Sequence, residues 1–413
     1  MSDPNRRALD VLRHPGFMRF LSARLLATLA AQMQTVAVGW QVYDITHDPI
    51  DLGLVGLSQF LPFVVLILPA GHVADRYDRR RILTWCYLLE TFCALMLLLF
   101  TWQKIDAAWP VFSVMVLLGC ARAFSMPAGQ AILPNLVPTA DFSRAVALNS
   151  SMFQISAVAG PAIGGLVYLA GPSAVYGTVA AFSLIAVVLM TRVTTGGRER
   201  RNTEPTSLRT LLSGLHFVWS RRTVLGAISL DLFAVLFGGA TALLPIFARD
   251  ILHVGPAGLG LLRTAPGIGA SLCALVLTIS PITRRVGLWM FGGVGVFGAA
   301  TVIFGLSTSF ALSVACLIAL GAGDMVSVYI RHLLVQLETP DEIRGRVSAV
   351  SAVFIGASNE LGEFESGFTA QWWGATRAVI IGGIATLTVT ALWIRLFPVL
   401  GRMDRFAPPV RER

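Results

Sequence analysis

The sequence predicts an all-α polytopic membrane protein, with twelve transmembrane helices in two pseudo-symmetric six-helix bundles. Three observations predict it. The 413 residues are 55% hydrophobic and only 13% charged, with a mean hydropathy of +0.71, whereas soluble domains are about 25% charged. Twelve apolar stretches each approach or exceed the roughly 20 residues that a helix needs to cross a hydrocarbon core; they are 17–43, 50–73, 83–103, 108–133, 145–170, 173–192, 223–248, 257–280, 287–307, 309–335, 346–371 and 376–398. One long polar stretch, 193–222, divides them six and six.

The loops between the stretches set a topology. Arg6, Arg7 and Arg13 precede the first stretch, which is too long for a signal peptide and shows no cleavage site, so it is expected to be retained. Arg76, Arg79, Arg80 and Arg81 follow the second, Arg284 and Arg285 the eighth, and Arg402 to Arg413 end the chain. The alternate loops hold few basic residues, namely Lys104, Arg249 and Arg377. This positive-inside distribution predicts that both termini are cytoplasmic. It also assigns the net charge of +9 to topology rather than to nucleic acid. Lys104 is the only lysine and no Gly-rich phosphate loop surrounds it, so the chain has no ATP-binding loop of its own. The five cysteines, Cys86, Cys93, Cys120, Cys273 and Cys316, lie in apolar stretches without a C-x-x-C pair and read as packing residues. No metal-ligand spacing appears, and neither metal nor cofactor is expected.

Three parts follow: an N-terminal bundle over 1–192, a cytoplasmic linker over 193–222, and a C-terminal bundle with its tail over 223–413. Within the linker, Leu208, Leu211, Leu212, Leu215 and Val218 recur at helical spacing and predict a short amphipathic helix on the membrane face. Short matches keep one order through both halves. Asp44-Ile45-Thr46-His47 corresponds to Asp250-Ile251-Leu252-His253, and Arg79-Arg80 to Arg284-Arg285. Pro138 and Arg144 correspond to Pro340 and Arg346 at a constant offset. Parallel six-helix repeats with a midplane site are a transporter architecture.

The loop Gly71-His72-Val73-Ala74-Asp75-Arg76-Tyr77-Asp78-Arg79-Arg80-Arg81-Ile82-Leu83 concentrates charge between the second and third stretches. It resembles the signature loop of major facilitator superfamily transporters, with Asp78 where the general motif has Gly. The stretches Gly39-Trp40-Gln41-Val42-Tyr43-Asp44, Ala121-Arg122-Ala123-Phe124-Ser125-Met126-Pro127 and Ser358-Asn359-Glu360-Leu361-Gly362-Glu363-Phe364-Glu365 are similar to a bacterial efflux branch, the transmembrane secretion effectors, which includes enterobactin-exporter-like proteins. The resemblance implies the major facilitator fold and a conformational latch drawn from Gly71, Asp75, Arg76, Arg79 and Arg80. Asp75 would face the start of helix 11 near Arg346. A carboxylate at a helix N-terminus contributes about 0.3–1 kcal/mol, and such a contact biases two states without locking either. Arg80 and Arg81 serve topology in any case.

In the fifth stretch, Ser156, Gly160 and Gly164 stand at i, i+4 and i+8 and share one face, with Pro161 and Gly165 beside them. Small residues let another helix approach closely, here expected from the other half, and Pro161 can kink the helix. The run resembles the family's antiporter motif, which implies export.

Charge inside an apolar helix costs about 2.5–3.5 kcal/mol on insertion scales and marks function by default. The stretches carry Arg24, Glu90, Arg122, Asp231, Arg263, Asp324, Glu360, Glu363 and Glu365. At the repeat offset Arg122 falls on Asp324, so the halves place opposite charges at equivalent positions. Glu360 and Glu363 share a helix face and read as a proton or cation site, with Asn359 able to bond Glu363. Arg122, Asp231, Asp324, Glu360 and Glu363 are thus the proton-coupling candidates; static polar packing is the alternative for each. Arg24 either lines the cavity or snorkels to the interface. With Gln32, Gln34, Gln154, Phe124, Phe153, Phe233 and Tyr329 it forms an amphiphilic set suited to a bulky, partly apolar ligand.

The resulting expectation is a bacterial inner-membrane exporter of a small amphiphilic molecule, a drug or siderophore. It would use proton antiport and alternating access and act as a monomer. A lipid or lysophospholipid flippase of the same fold and a non-transporting receptor or scaffold are the rivals. No catalytic constellation stands out.

Overall fold

The computed structural model describes residues 10–194 and 215–406, without the side chains at 10, 68, 140, 341, 342, 344–346, 349, 352 and 353. Among the described residues are twelve long helices. They are α1 (Pro15–Thr46), α2 (Pro49–Arg76), α3 (Arg79–Trp102), α4 (Trp109–Ala131), α5 (Phe142–Val167), α6 (Pro172–Thr191), α7 (Arg222–Phe237), α8 (Gly255–Ile279), α9 (Val286–Leu306), α10 (Phe310–Glu338), α11 (Asp341–Trp373) and α12 (Ala375–Leu396). Ten spans are long and apolar enough to cross a membrane, so this is a multi-pass membrane protein. The two helices that fall short are α1 and α11. Arg24, Gln32, Gln34 and Gln41 lower the hydropathy of α1, and Glu360, Glu363 and Glu365 that of α11. Lipid tails cannot satisfy such side chains, so these helices depend on protein or water for partners.

The helices form two compact units, built from the described parts of Met1–Thr46 with Ser58–Thr206 and of His47–Leu57 with Ser207–Arg413. The first turns of α2 therefore group with the second unit, which a boundary drawn in the linker does not anticipate. The reason is packing. A Cβ on Gly53 would come within 3.1 Å of the Phe364 Cα of α11, and one on Gly367 within 2.9 Å of the Pro49 carbonyl oxygen. Of the predicted linker helix, Leu208, Leu211 and Leu212 lie outside the described residues. Residues 215–220 are helical, and Leu215 and Val218 pack with Val224, Ile228, Val335 and Val350.

In the first unit α1 packs on α5 and α6, and α3 on α4 and α6. In the second unit α7 packs on α11 and α12, and α9 on α10 and α12. Each pairing recurs six helices later. The repeat extends to single residues. A Cβ on Gly119 of α4 would strike the Gln59 carbonyl and Pro62 of α2, and one on Gly321 of α10 would strike Pro266 of α8. Gly119 and Gly321 are separated by the same offset as Pro138 and Pro340. His47 and His253, which end the matched four-residue runs, both adopt positive φ, at 54° and 53°. That conformation is uncommon for a residue with a side chain.

One helix departs from expectation. The seventh stretch is interrupted after Phe237 by Gly238 and Gly239, and continues as a 3-10 turn (Ala240–Leu243), one α turn (Leu244–Ile246) and a π turn (Phe247–Ile251). Pro245 lacks the N–H that would bond back to Thr241, and paired glycines are poor helix formers. The gap is filled from α11 and α12: a Cβ on Gly239 would meet Ser366 Oγ at 2.8 Å, and Thr386 Oγ1 donates to the Ala234 carbonyl at 3.0 Å.

Candidate functional site

The signature loop is built by two helix ends. α2 runs to Arg76, and Asp78 is the N-cap of α3, in extended conformation, its carboxylate accepting from the Arg80 backbone N–H at 3.0 Å. Aspartate is a favoured N-cap, and glycine is tolerated there, so Asp78 can occupy the motif's glycine position. Arg79 donates to the Asp75 carbonyl at 3.4 Å. Asp75 is half-buried and its carboxylate accepts no hydrogen bond from the described residues. A Cβ on Gly71 would meet nothing within 4 Å, so local packing does not require glycine there. Arg76 is exposed. α11 starts at Asp341, ahead of the expected Arg346, and the side chains at 344–346 lie outside the described set.

Arg80 does more than mark topology. It donates to the Val193 carbonyl at 2.9 Å, while Arg19 of α1 donates to the Arg192 carbonyl at 2.7 Å. The last carbonyls of a helix have no partner inside it, and cations favour that end. Arg19 therefore caps the end of α6 at Arg192, and Arg80 fastens Val193 just beyond it, at the start of the linker.

The small-residue face of α5 meets α1. Gly164 would bring a Cβ within 2.8 Å of Met33 Cα, and Gly160 within 2.5 Å of Gln32 Cβ. Ser156 Oγ donates to Met152 at 2.9 Å and lies 3.4 Å from the Leu25 carbonyl. Pro161 and Gly165 are buried beside them. The sequence reading set this face against the other half; its partner is instead α1 of the same unit. The contact is close because every facing α5 residue is small.

The remaining first-unit candidates disperse. Arg24 is half-buried and directs Nη1 to the Gly129 carbonyl of α4 at 3.4 Å, which is an interhelical position rather than a snorkelled one. Arg122 is exposed, with its guanidinium 5.3 Å from the centre of the Phe63 ring. Gln34 is buried, Gln32 and Phe124 are half-buried, and Phe153 and Gln154 are exposed. Gln41 ties three helices, accepting from Tyr176 at 2.7 Å and donating to Thr101 at 3.1 Å.

The second unit gathers the intramembrane charges. Asp231 of α7 pairs with Arg331 of α10, with side chains 6% and 2% exposed. Arg331 escaped the sequence reading although it lies in the tenth stretch; its place seven residues after Asp324 is the signal that could have found it. Asp324 is half-buried and has no hydrogen-bond or ion-pair partner among the described residues. Glu360 and Glu363 converge on Gly56, whose added Cβ would lie 3.6 and 3.1 Å from their Oε2 atoms. Arg263 of α8 interacts electrostatically with Glu363. Asn359, expected to bond Glu363, donates to the Ile355 carbonyl at 3.0 Å instead, satisfying its amide within the helix. Phe233 meets Trp393 of α12 in a tilted ring contact, with centroids 5.3 Å apart. Tyr329 lines a cavity of about 350 Å³ with Leu277, Thr278, Pro281 and Met325.

Comparison with known proteins sets these features in context. The profile of a family described as transmembrane secretion effector matches residues 7–406. The enterobactin exporter EntS of Citrobacter koseri is 27% identical over 406 residues, covering 96% of this chain and 94% of that protein. An uncharacterized MFS-type transporter, YfiS of Bacillus subtilis strain 168, is 25% identical, covering 91% of each. Among solved structures, a bacterial homolog of the human lysosomal transporter Spinster superposes with a TM-score of 0.75 at 14% identity, over 99% of this chain and all of that one. A bacterial homologue of the iron transporter ferroportin gives 0.70 at 14% identity, over 94% and 99% of the two chains. These structures share the fold.

Proposed function

This chain belongs to the transmembrane secretion effector family of major facilitator transporters, and we propose that it exports small amphiphilic organic molecules of the siderophore or drug type by proton antiport. One observation carries the coupling part. Asp231, Asp324, Glu360 and Glu363 all stand on membrane helices of the second unit. Each charge there costs about 2.5–3.5 kcal/mol on insertion scales, and carboxylates so placed are suited to binding and releasing protons. The substrate class is supported by the full-length similarity to enterobactin exporters. Gln154, Phe153 and Phe124 offer the mixed amide and aromatic surface that such molecules need.

The protein sits in a bacterial inner membrane with both termini cytoplasmic, as a monomer, and works by alternating access of its two halves. Asp75, with Arg79 beside it, is half of a latch to the start of α11. Gly71 and Arg76 complete the loop, and Arg80 acts in it through α6. Arg122 on α4 assists coupling from the first half.

Proton flux in proteoliposomes tests this reading. Protein reconstituted with an internal pH-sensitive dye is challenged with a catecholate siderophore, a cationic drug and a neutral drug. Asp324→Asn and Glu360→Gln run beside wild type. The expected result is substrate-dependent proton movement that at least one carboxamide variant abolishes. Labelled compounds that equilibrate without moving protons would overturn antiport and indicate a uniporter. Activity only on a labelled lysophospholipid would indicate a flippase.

A further inference from the structure

Asp324, Arg331 and Glu338 stand at seven-residue intervals along α10. Seven residues make nearly two turns, so the three share one face at steps of about 10.5 Å. α7 engages two of them: Glu338 accepts from Thr223 Oγ1, and Arg331 pairs with Asp231. Asp324, the third, has no ion-pair partner among the described residues. It lies within the combined reach of an extended arginine and an aspartate side chain from Arg331.

The Asp231–Arg331 pair is poorly made for stability alone. Arg331 is 2% exposed, and its buried Nε finds no acceptor. A buried ion pair recovers its desolvation cost only when its remaining donors are satisfied, and well-packed apolar residues often serve as well or better. A guanidinium with an unused donor, between one carboxylate it holds and another it can reach, is better suited to changing partners.

We propose that Arg331 is the counter-cation shared by Asp231 and Asp324, and that Asp324 carries the transported proton while Arg331 is held by Asp231. Arg331 is a positioning residue and does not itself carry the proton. With Arg331 on Asp231, a carboxylate oxygen of Asp324 binds a proton from outer water. When Arg331 swings to Asp324, that proton departs to the cytoplasmic side; Arg331 then returns to Asp231 and frees Asp324 for the next proton. The change repacks side chains between α7 and α10.

The elements around this pair hold few competing groups. α9 has no ionisable side chain, and α8 has Arg263 and Cys273. Beyond its first turns α11 has Glu360, Glu363 and Glu365; α12 has Arg377 and Arg395, and α10 itself has Cys316, Tyr329 and His332. Arg263 interacts electrostatically with Glu363 of α11, and Arg331 is the arginine of α10 that pairs with α7. The inference rests on the antiport reading above and specifies its machinery.

The test uses the full chain in proteoliposomes with the catecholate siderophore as probe. Arg331→Gln, the double variant Asp231→Asn with Arg331→Gln, and Asp324→Asn are each measured three ways: melting temperature in detergent, exchange of labelled siderophore, and siderophore-driven proton movement. Arg331→Gln alone should lower the melting temperature, because Asp231 is left buried and unpaired; the double variant should recover it. Proton movement should fall at least about tenfold in the double variant and in Asp324→Asn, while exchange falls less than about threefold. A double variant that regains proton movement along with its melting temperature would show a purely structural pair and overturn the proposal. Wild-type proton movement in Asp324→Asn would also overturn it. If wild type itself moves no protons, the antiport reading fails and this inference fails with it.

Discussion

Replacing Gly164 with alanine tests whether the small-residue face of α5 is a packing surface against α1. The added Cβ would lie 2.8 Å from Met33 Cα and 3.1 Å from the Met33 carbonyl oxygen. Carbon atoms in ordinary contact sit about 3.5–4.0 Å apart, so the helices must separate by roughly 0.7 Å. Met33 cannot yield by changing rotamer, because the atoms in the way are backbone. Overpacking of this kind costs about 1–3 kcal/mol, against a gain of about 1 kcal/mol from replacing glycine by alanine in a helix. Gly177→Ala on α6 is the control, because nothing lies within 4 Å of its Cβ. It has the same propensity gain without the clash. The difference between the two variants should therefore be about 1–3 kcal/mol, at roughly 2–4 °C per kcal/mol for a unit of this size. A thiol-reactive dye can read the transition, since Cys86, Cys93 and Cys316 are buried and become reactive on unfolding. If Gly164→Ala melts at or above Gly177→Ala, the packing argument is wrong.

Three further outcomes follow from the geometry. Asp78→Ala removes the N-cap of α3 and should cost about 1 kcal/mol, whereas Asp78→Gly should cost only a few tenths; equal melting temperatures for the two would refute the cap. Arg19→Ala frees the C-cap carbonyl of α6 at Arg192, and Arg80→Ala frees the Val193 carbonyl just beyond it. Each should cost about 1 kcal/mol or less given partial exposure, with faster hydrogen exchange in the last turn of α6, and unchanged exchange would refute that role. Asp75→Asn should slow siderophore export while leaving the melting temperature unchanged, and wild-type export in that variant would remove Asp75 from the proposed latch.

Much of the architecture is local in origin and was legible along the chain. An apolar stretch of transmembrane length needs no distant partner to become a helix, because lipid leaves the backbone no other way to satisfy itself. The repeat was legible too, from Pro138 with Pro340 and from the runs ending in His47 and His253. The break in α7 lay less in view. Gly238, Gly239 and Pro245 weaken the helix, but its interruption also depends on α11 and α12 filling the gap.

What the chain could not disclose was pairing. Small residues four apart, as in Ser156, Gly160 and Gly164, announce a close approach without naming the helix that makes it; the answer, α1, lies more than a hundred residues away. Asp231 and Arg331 are a hundred residues apart, and hydropathy registers each as a separate defect in an apolar stretch. By itself the sequence determined the helices, their number and their family, since these follow from local hydrophobicity, helical period and motif. Only the tertiary structure decided that Arg331 answers Asp231, that Arg19 caps α6, and that Glu360 and Glu363 meet at Gly56. Each of those depends on contacts across sequence distance, which one chain's pattern does not encode locally.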